Sequence, residues 1–172
     1  MSRRIAMTLV LGLFVVLAGG AGVAAFAQGA GPAAHGPIFT PKDLTWGPAP
    51  PILNPGAQIA VLEGDPSQSG PFTIRLKLPD GFKIMPHSHP TTEHVTVISG
   101  VMNAAMGDTF DKSKGAVMPV GSYAVLPAKM NHYAWVKGAT ILQVHGEGPF
   151  QINYVNPADD PSQKGKASGT KP

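Results

Sequence analysis

The chain has 172 residues, of which 21 are glycine and 18 are proline, and it contains no cysteine. This length is enough for one well-packed domain, and the frequency of glycine and proline disfavours helical bundles and coiled coils. The lack of thiols excludes disulfides, a cysteine nucleophile and iron–sulfur clusters, so that any metal ligands must be nitrogen, oxygen or methionine sulfur.

The formal net charge of +3 comes from the ends of the chain. Five of the 13 basic side chains lie there. The remaining eight basic side chains are fewer than the ten acidic side chains. The flanking basic residues are Arg3, Arg4, Lys164, Lys166 and Lys171. The central part therefore has no basic stripe, and nucleic acid is not expected to be a partner.

Residues 1–27 have the pattern of a signal peptide. Arg3 and Arg4 precede an apolar run, glycines interrupt that run before it could span a bilayer, and Ala25-Phe26-Ala27 forms a cleavage site. We expect cleavage after Ala27, no stable membrane anchor afterwards, and export to the periplasm or the medium. The two arginines also open a twin-arginine motif, so the export route, general secretory or twin-arginine, stays open.

After the leader the sequence predicts an all-β protein in three parts. Residues 28–56 form an extended arm rich in proline and glycine, residues 57–156 form a barrel, and residues 157–172 form a disordered tail. Within the barrel, short apolar runs with period-two alternation are separated by turn residues, which favours a double-sheet jelly roll or a small barrel. The runs are Ala57 to Leu62, Phe72 to Leu78, Glu93 to Ile98, Val101 to Met106, Ser122 to Leu126, His132 to Val136, Thr140 to His145 and Phe150 to Val155.

Three histidines and one glutamate form a candidate metal site. His87 and His89 are two residues apart, so on a strand both imidazoles point to one face, and Glu93 follows after a turn at Pro90. His132 begins a later run and completes the set. Three imidazoles and a carboxylate suit one divalent ion such as Zn, Mn, Fe, Ni, Co or Cu, with a position left for water or substrate.

The spacing of these residues resembles the two motifs of the cupin superfamily. The first motif reads Gly81, five residues, His87, Ser88, His89, three residues, Glu93, six residues and Gly100; the second reads Gly121, five residues, Pro127 and His132. Lys129 and Val136 depart from the second motif, where glycine and asparagine are usual. The resemblance implies a jelly-roll β-barrel that holds a metal through His87, His89, Glu93 and His132.

The stretch from Trp46 to Asp160 is similar to exported bacterial single-domain cupins of uncharacterised function, and more distantly to the zinc-binding cupin domain of anti-sigma factors. A cupin that kept these residues without the ion is the opposing interpretation. It would bury four convergent ionisable groups without compensation, which is costly.

Two other histidines are less clearly placed. Strand alternation directs His94 away from the face that carries Glu93, so we do not expect it to bind the metal. His145 either lines the barrel, where it would contact a substrate, or lies outside it. No catalytic acid or base is apparent, and His145, Tyr133 and a metal-bound hydroxide are the candidates.

Two kinds of function fit these residues. In the first, the metal binds a small organic molecule and polarises it, or activates water or dioxygen, inside the barrel. In the second, the protein is a non-catalytic sensor or carrier of a metal or ligand in the cell envelope. Both leave a small molecule as the partner, and the open edges of a jelly roll would also allow a homodimer.

Overall fold

The computed structural model describes residues 38–164, and the predicted leader, residues 1–27, lies outside this range. Within it, antiparallel strands dominate and the helices are short, as predicted for an all-β protein. Three 3₁₀ turns occupy Pro41–Asp43, Lys112–Lys114 and Pro157–Asp159, and α1 spans Pro161–Lys164. The strands are β1 Gly47–Pro48, β2 Gln58–Glu63, β3 Gly70–Leu78, β4 Lys83–Ser88, β5 Glu93–Met106, β6 Ala116–Met118, β7 Tyr123–Leu126, β8 His132–Gly148 and β9 Asn153–Tyr154.

Two long strands, β5 and β8, connect two layers of a jelly roll. The second half of β8 pairs with β3 on one side and with the first half of β5 on the other. The first half of β8 pairs with β4 and with the second half of β5. The strands β2 and β7 extend the first layer, and β6 and β9 extend the second. The sheet is not closed into a complete barrel.

The core lies between these two layers. Phe72, Ile74, Leu76 and Leu78 alternate along β3 and are all buried, which confirms the predicted apolar face of this strand. They belong to the same cluster as residues from the opposite layer, including Val136 on β8. Burial of this apolar surface drives the two layers together.

Two pairs of runs that the sequence predicts as separate strands, on either side of Ser99-Gly100 and of Lys137-Gly138, are continuous in the structure. Both sites lie inside single strands, β5 and β8, which bend there and pass from one layer to the other. Gly100 and Gly138 both have positive φ values, of 79° and 74°, which glycine adopts without a steric cost. The residues between these runs are therefore turn residues, as predicted, but they bend each strand and do not end it.

The arm is tied to the body by a few contacts. Leu53 is buried in the core, and the Tyr154 hydroxyl donates a hydrogen bond of 2.8 Å to the Ile52 carbonyl. The Lys77 ammonium lies 4.4 Å from the centre of the Trp46 ring.

In the region predicted as a disordered tail, residues 157–164 form helical turns. No helix within residues 38–164 is long and apolar enough to cross a membrane.

The bend in β5 gives a test of this architecture. A Cβ atom at Gly100 would lie 2.6 Å from the Ala139 carbonyl oxygen and 2.8 Å from the Thr140 Cα, whereas a Cβ at Gly138 would meet nothing within 4 Å. We expect Gly138→Ala to cost about 1–2 kcal/mol for its positive φ, and Gly100→Ala to cost about 1–3 kcal/mol more for the collision. Urea denaturation measures both. Equal losses would show that β5 and β8 do not approach closely at Gly100.

Candidate metal centre

The four predicted ligands are brought together from four places in the fold. His87 lies near the end of β4, His89 directly follows that strand, Glu93 begins β5 and His132 begins β8. His87 pairs with His132 across the β4–β8 ladder. Since β4 ends at Ser88, the two imidazoles of the first motif converge without both lying on one regular strand. All four side chains are buried, with 2–8% of their surfaces exposed.

Hydrogen bonds to the backbone orient the three imidazoles. The Nδ1 atom of His87 lies 2.7 Å from the Met85 carbonyl oxygen, that of His89 lies 2.6 Å from the Gln151 carbonyl, and that of His132 lies 3.0 Å from the Met130 carbonyl. A carbonyl oxygen only accepts hydrogen bonds, so each Nδ1 must carry the proton. In the neutral ring, Nε2 then keeps a free lone pair, which is the tautomer that binds a metal.

The free nitrogens point to one place. The metal-binding atoms of His87, His89 and His132 all lie within 4.8 Å of one another. The Nε2 atoms of His89 and His132 are fully buried and have no hydrogen-bond partner. Buried polar atoms are almost always satisfied, so these two atoms indicate that a further group belongs between the rings.

Glu93 supplies the negative charge of the cluster. Its Oε2 atom lies 3.2 Å from the Nε2 atom of His89 and 3.4 Å from that of His132. These imidazoles are its only ion-pair neighbours in the described part of the chain. Burial opposes ionisation of the carboxyl group, whereas hydrogen bonds from the His132 and His89 rings, and attraction to these rings, lower the pKa of Glu93. Both effects need a proton on each Nε2 atom, or a cation in its place, so the carboxylate is charged only beside a positive partner.

His87 is neutral over the physiological pH range. Burial, reinforced by the neighbouring His132 and His89 rings, lowers the pKa of His87 to about 3. A neutral imidazole cannot balance the charge of Glu93, but it can donate its lone pair to a cation. Three converging imidazole nitrogens, and a carboxylate without a lysine or arginine partner in the described chain, fit a divalent ion that accepts nitrogen and oxygen ligands, such as zinc or iron.

A cavity of about 290 Å³ opens onto this cluster. His87, His89 and Glu93 form part of its wall, and ten of its fourteen lining residues are apolar. The apolar wall comes from the arm, β2, β3, β4 and the segment before β9. Phe150 in that last segment stacks on the His89 ring, with centroids 4.4 Å apart and planes at 14°.

The remaining candidate residues lie away from this cavity. His145 stacks on His94, with centroids 4.7 Å apart, and the His94 Nδ1 atom lies 2.5 Å from the Tyr123 hydroxyl oxygen. In the second half of β8 the buried residues Leu142 and Val144 alternate with Gln143 and His145. His145 therefore points to the outer face, where it lines a separate surface depression with His94. The structure therefore does not place His145 in the cavity with the imidazoles.

Tyr133 is also excluded from the cavity wall. It is fully buried, and its hydroxyl donates a hydrogen bond of 2.9 Å to the Asp111 carbonyl. At the nearby departure from the second motif, Lys129 adopts a φ of 63° and its N–H donates to the His89 carbonyl at 2.8 Å. Lysine thus forms the tight turn at which glycine is usual, and the turn still supports His89.

Sequence reasoning missed the groups that position the ligands. The three carbonyl acceptors belong to the backbone of Met85, Met130 and Gln151, and nothing in a side-chain pattern marks a carbonyl. Phe150 was included in a predicted strand, but the strand there is only Asn153–Tyr154. No local signal marks its contact with His89, because Phe150 lies well beyond both motifs in the sequence.

Solved structures matched by this chain include an RmlC-like cupin from Shewanella frigidimarina, with a TM-score of 0.49 and 13% identity, over 64% of this chain and 88% of that one. Two matches with TM-scores above 0.5 share the jelly-roll fold of this chain. The polyketide cyclase RemF from Streptomyces resistomycificus matches with a TM-score of 0.61 and 14% identity, over 77% of this chain and 94% of that one. An acetylacetone dioxygenase from Acinetobacter johnsonii matches with a TM-score of 0.56 and 16% identity, over 81% and 94%.

The matched structures also include a complex that contains an anti-sigma factor. The Rhodobacter sphaeroides SigE–ChrR complex, in which ChrR is the anti-sigma factor, matches with a TM-score of 0.46 and 16% identity, over 62% of this chain and 50% of that one. A likeness this weak says nothing about function.

A family model described as a domain of unknown function, DUF4437, matches residues 21–153. The chain belongs to this family. No protein of curated function matches it in sequence.

Proposed function

We propose that this cupin binds one divalent transition-metal ion through His87, His89, Glu93 and His132, and that the site acts on a small organic molecule. The observation that carries the proposal is that the buried Nε2 atoms of His89 and His132 have no hydrogen-bond partner and lie beside the Glu93 carboxylate. A cation between these groups would satisfy the nitrogens and balance the charge at once.

Each part of the site has a distinct role in this proposal. The Nε2 atoms and the Glu93 carboxylate would hold the ion, and a bound ion would supply a Lewis acid in a space shielded from bulk water. The backbone carbonyls fix the imidazole tautomers, Phe150 holds the plane of the His89 ring, and the apolar wall excludes water. The dioxygenase and the cyclase of similar fold are both named for reactions of small organic molecules, which supports this proposal.

A non-catalytic metal or ligand carrier is the second candidate, and one observation favours it. The polar side chains among the cavity-lining residues are three of the proposed ligands, His87, His89 and Glu93, and Ser67. The Ser67 hydroxyl is engaged with Asp65, at 2.7 Å. Within the described wall, no further acid or base is therefore free to move a proton. A turnover screen that includes dioxygen uptake separates the two candidates, since a carrier consumes nothing.

Metal content gives the direct test of the ligand assignment. We expect about one ion per chain in the wild type, and a loss of most of it in His89→Ala and His132→Ala. A chelator should lower the Tm of the wild type by roughly 10 °C. The reason is that an ion that binds only the folded state adds about 4 kcal/mol to the free energy of unfolding when its free concentration is about 1,000 times its Kd. Elemental analysis and thermal unfolding measure both effects.

Matched controls come from the outer face. His94→Ala and His145→Ala remove imidazoles of the same size from outside the cavity, and both should retain the ion. His132→Gln preserves more of the side-chain volume than His132→Ala does. Together with a circular dichroism spectrum, this variant separates loss of metal from loss of fold. A wild-type Tm that is indifferent to chelator and to added metal would contradict the assignment.

We further propose that the protein is exported and that it acts in the periplasm or the medium. The support is the sequence of residues 1–27, whose charged start, apolar run and Ala25-Phe26-Ala27 site fit a cleaved signal peptide. Mass spectrometry of the exported protein should find Gln28 at its N-terminus. Recovery of the intact leader in the membrane fraction would refute this proposal.

A further inference from the structure

The end of the cavity near the imidazoles is polar, and the rest of the cavity wall is mostly apolar. Its polar side chains are His87, His89, Glu93 and Ser67, and the Ser67 hydroxyl already donates to Asp65. The other ten lining residues are aliphatic, proline or phenylalanine. A molecule in this cavity can therefore make polar side-chain interactions only near the imidazoles.

Basic side chains near the cavity are directed elsewhere. Arg75 and Lys77 alternate with the lining residues Ile74 and Leu76 on β3, so they point to the other face of the sheet. The Arg75 Nε atom donates to Gln143 at 3.2 Å, and the Lys77 ammonium lies over the Trp46 ring. The Lys83 ammonium lies over the Phe110 ring at 5.7 Å. No lysine or arginine is among the cavity-lining residues of the described chain.

We propose that the cavity selects a small molecule with an oxygen at one end, facing the imidazoles, and an uncharged apolar body. The part of this inference that concerns the oxygen of the ligand rests on the proposed function. The part that concerns the apolar body of the ligand rests on the cavity wall alone. A ligand that carries a charge on its body would lose its hydration and find no counter-charge, which is unfavourable by more than about 1 kcal/mol.

Ile59 is the position at which this selectivity can be altered. It lies on β2, which carries none of the four proposed metal ligands, and it lines the cavity while remaining partly exposed. A lysine at this position could keep its ammonium group partly hydrated while its alkyl chain replaces the isoleucine. It would place a positive charge in the apolar part of the wall, which carries no other charged side chain.

Two aromatic ketones of matched shape provide the probes. 4-Methylacetophenone and 4-acetylbenzoate share the ketone oxygen, and they differ in whether the far end of the ring is neutral or negatively charged. We expect the wild type to bind 4-methylacetophenone at least about tenfold more tightly, the equivalent of about 1.4 kcal/mol. NMR titration of the exported form, loaded with zinc and also after chelation, measures both affinities.

The Ile59 variants test the cause of this preference. Ile59→Lys should reduce or reverse the ratio by favouring 4-acetylbenzoate, whereas Ile59→Met, of similar length without charge, should keep the wild-type ratio. Equal or tighter binding of 4-acetylbenzoate by the wild type, or binding of neither ketone at millimolar concentration, would overturn the proposal. If Ile59→Lys does not fold, the wild-type ratio alone decides.

The same samples separate this inference from the metal proposal. Zinc content is determined before each titration, so failure of the four ligands to bind zinc refutes the proposed function independently of the ketone ratio. A preference for 4-methylacetophenone that persists in the chelated protein supports the inference about the body of the ligand, because that preference depends on the wall alone.

Discussion

Three hydrogen bonds from imidazole Nδ1 atoms to backbone carbonyls are the constraint on which the site depends. They fix the protonated nitrogen of His87, His89 and His132, and they direct the opposite nitrogen of each ring toward a common point. The acceptors lie on three segments: β4, the loop before β8, and the segment before β9. The site is therefore only as rigid as the packing that holds those segments together.

The charge distribution follows from the same arrangement. A buried carboxylate at Glu93 has no lysine or arginine beside it in the described chain, and the imidazoles that surround it offer lone pairs. Such a group is costly to bury unless a cation joins it. Folding thus assembles an incomplete polar centre inside an apolar cavity, and this combination favours both a bound metal and a mostly uncharged ligand.

The sequence predicted much of this arrangement because its chemistry lies in side chains at characteristic spacings. The alternation on β3 identified one face of the core, and the two motifs identified the four residues that converge. Strand parity placed His94 outside. It left His145 undecided, because the apolar residues around it do not show which face of β8 packs inward until the two layers are assembled. The carbonyl acceptors and the contact of Phe150 with His89 depend on non-local backbone geometry, which no local pattern encodes.

Imidazole ¹⁵N NMR spectra of the protein with and without one equivalent of Zn²⁺ test the central claim most directly. The account predicts that the Nε2 resonances of His87, His89 and His132 shift on zinc addition while their Nδ1 atoms remain protonated, and that the resonances of His94 and His145 do not move. A response confined to His94 and His145, or no response at the three buried Nε2 atoms, would contradict it.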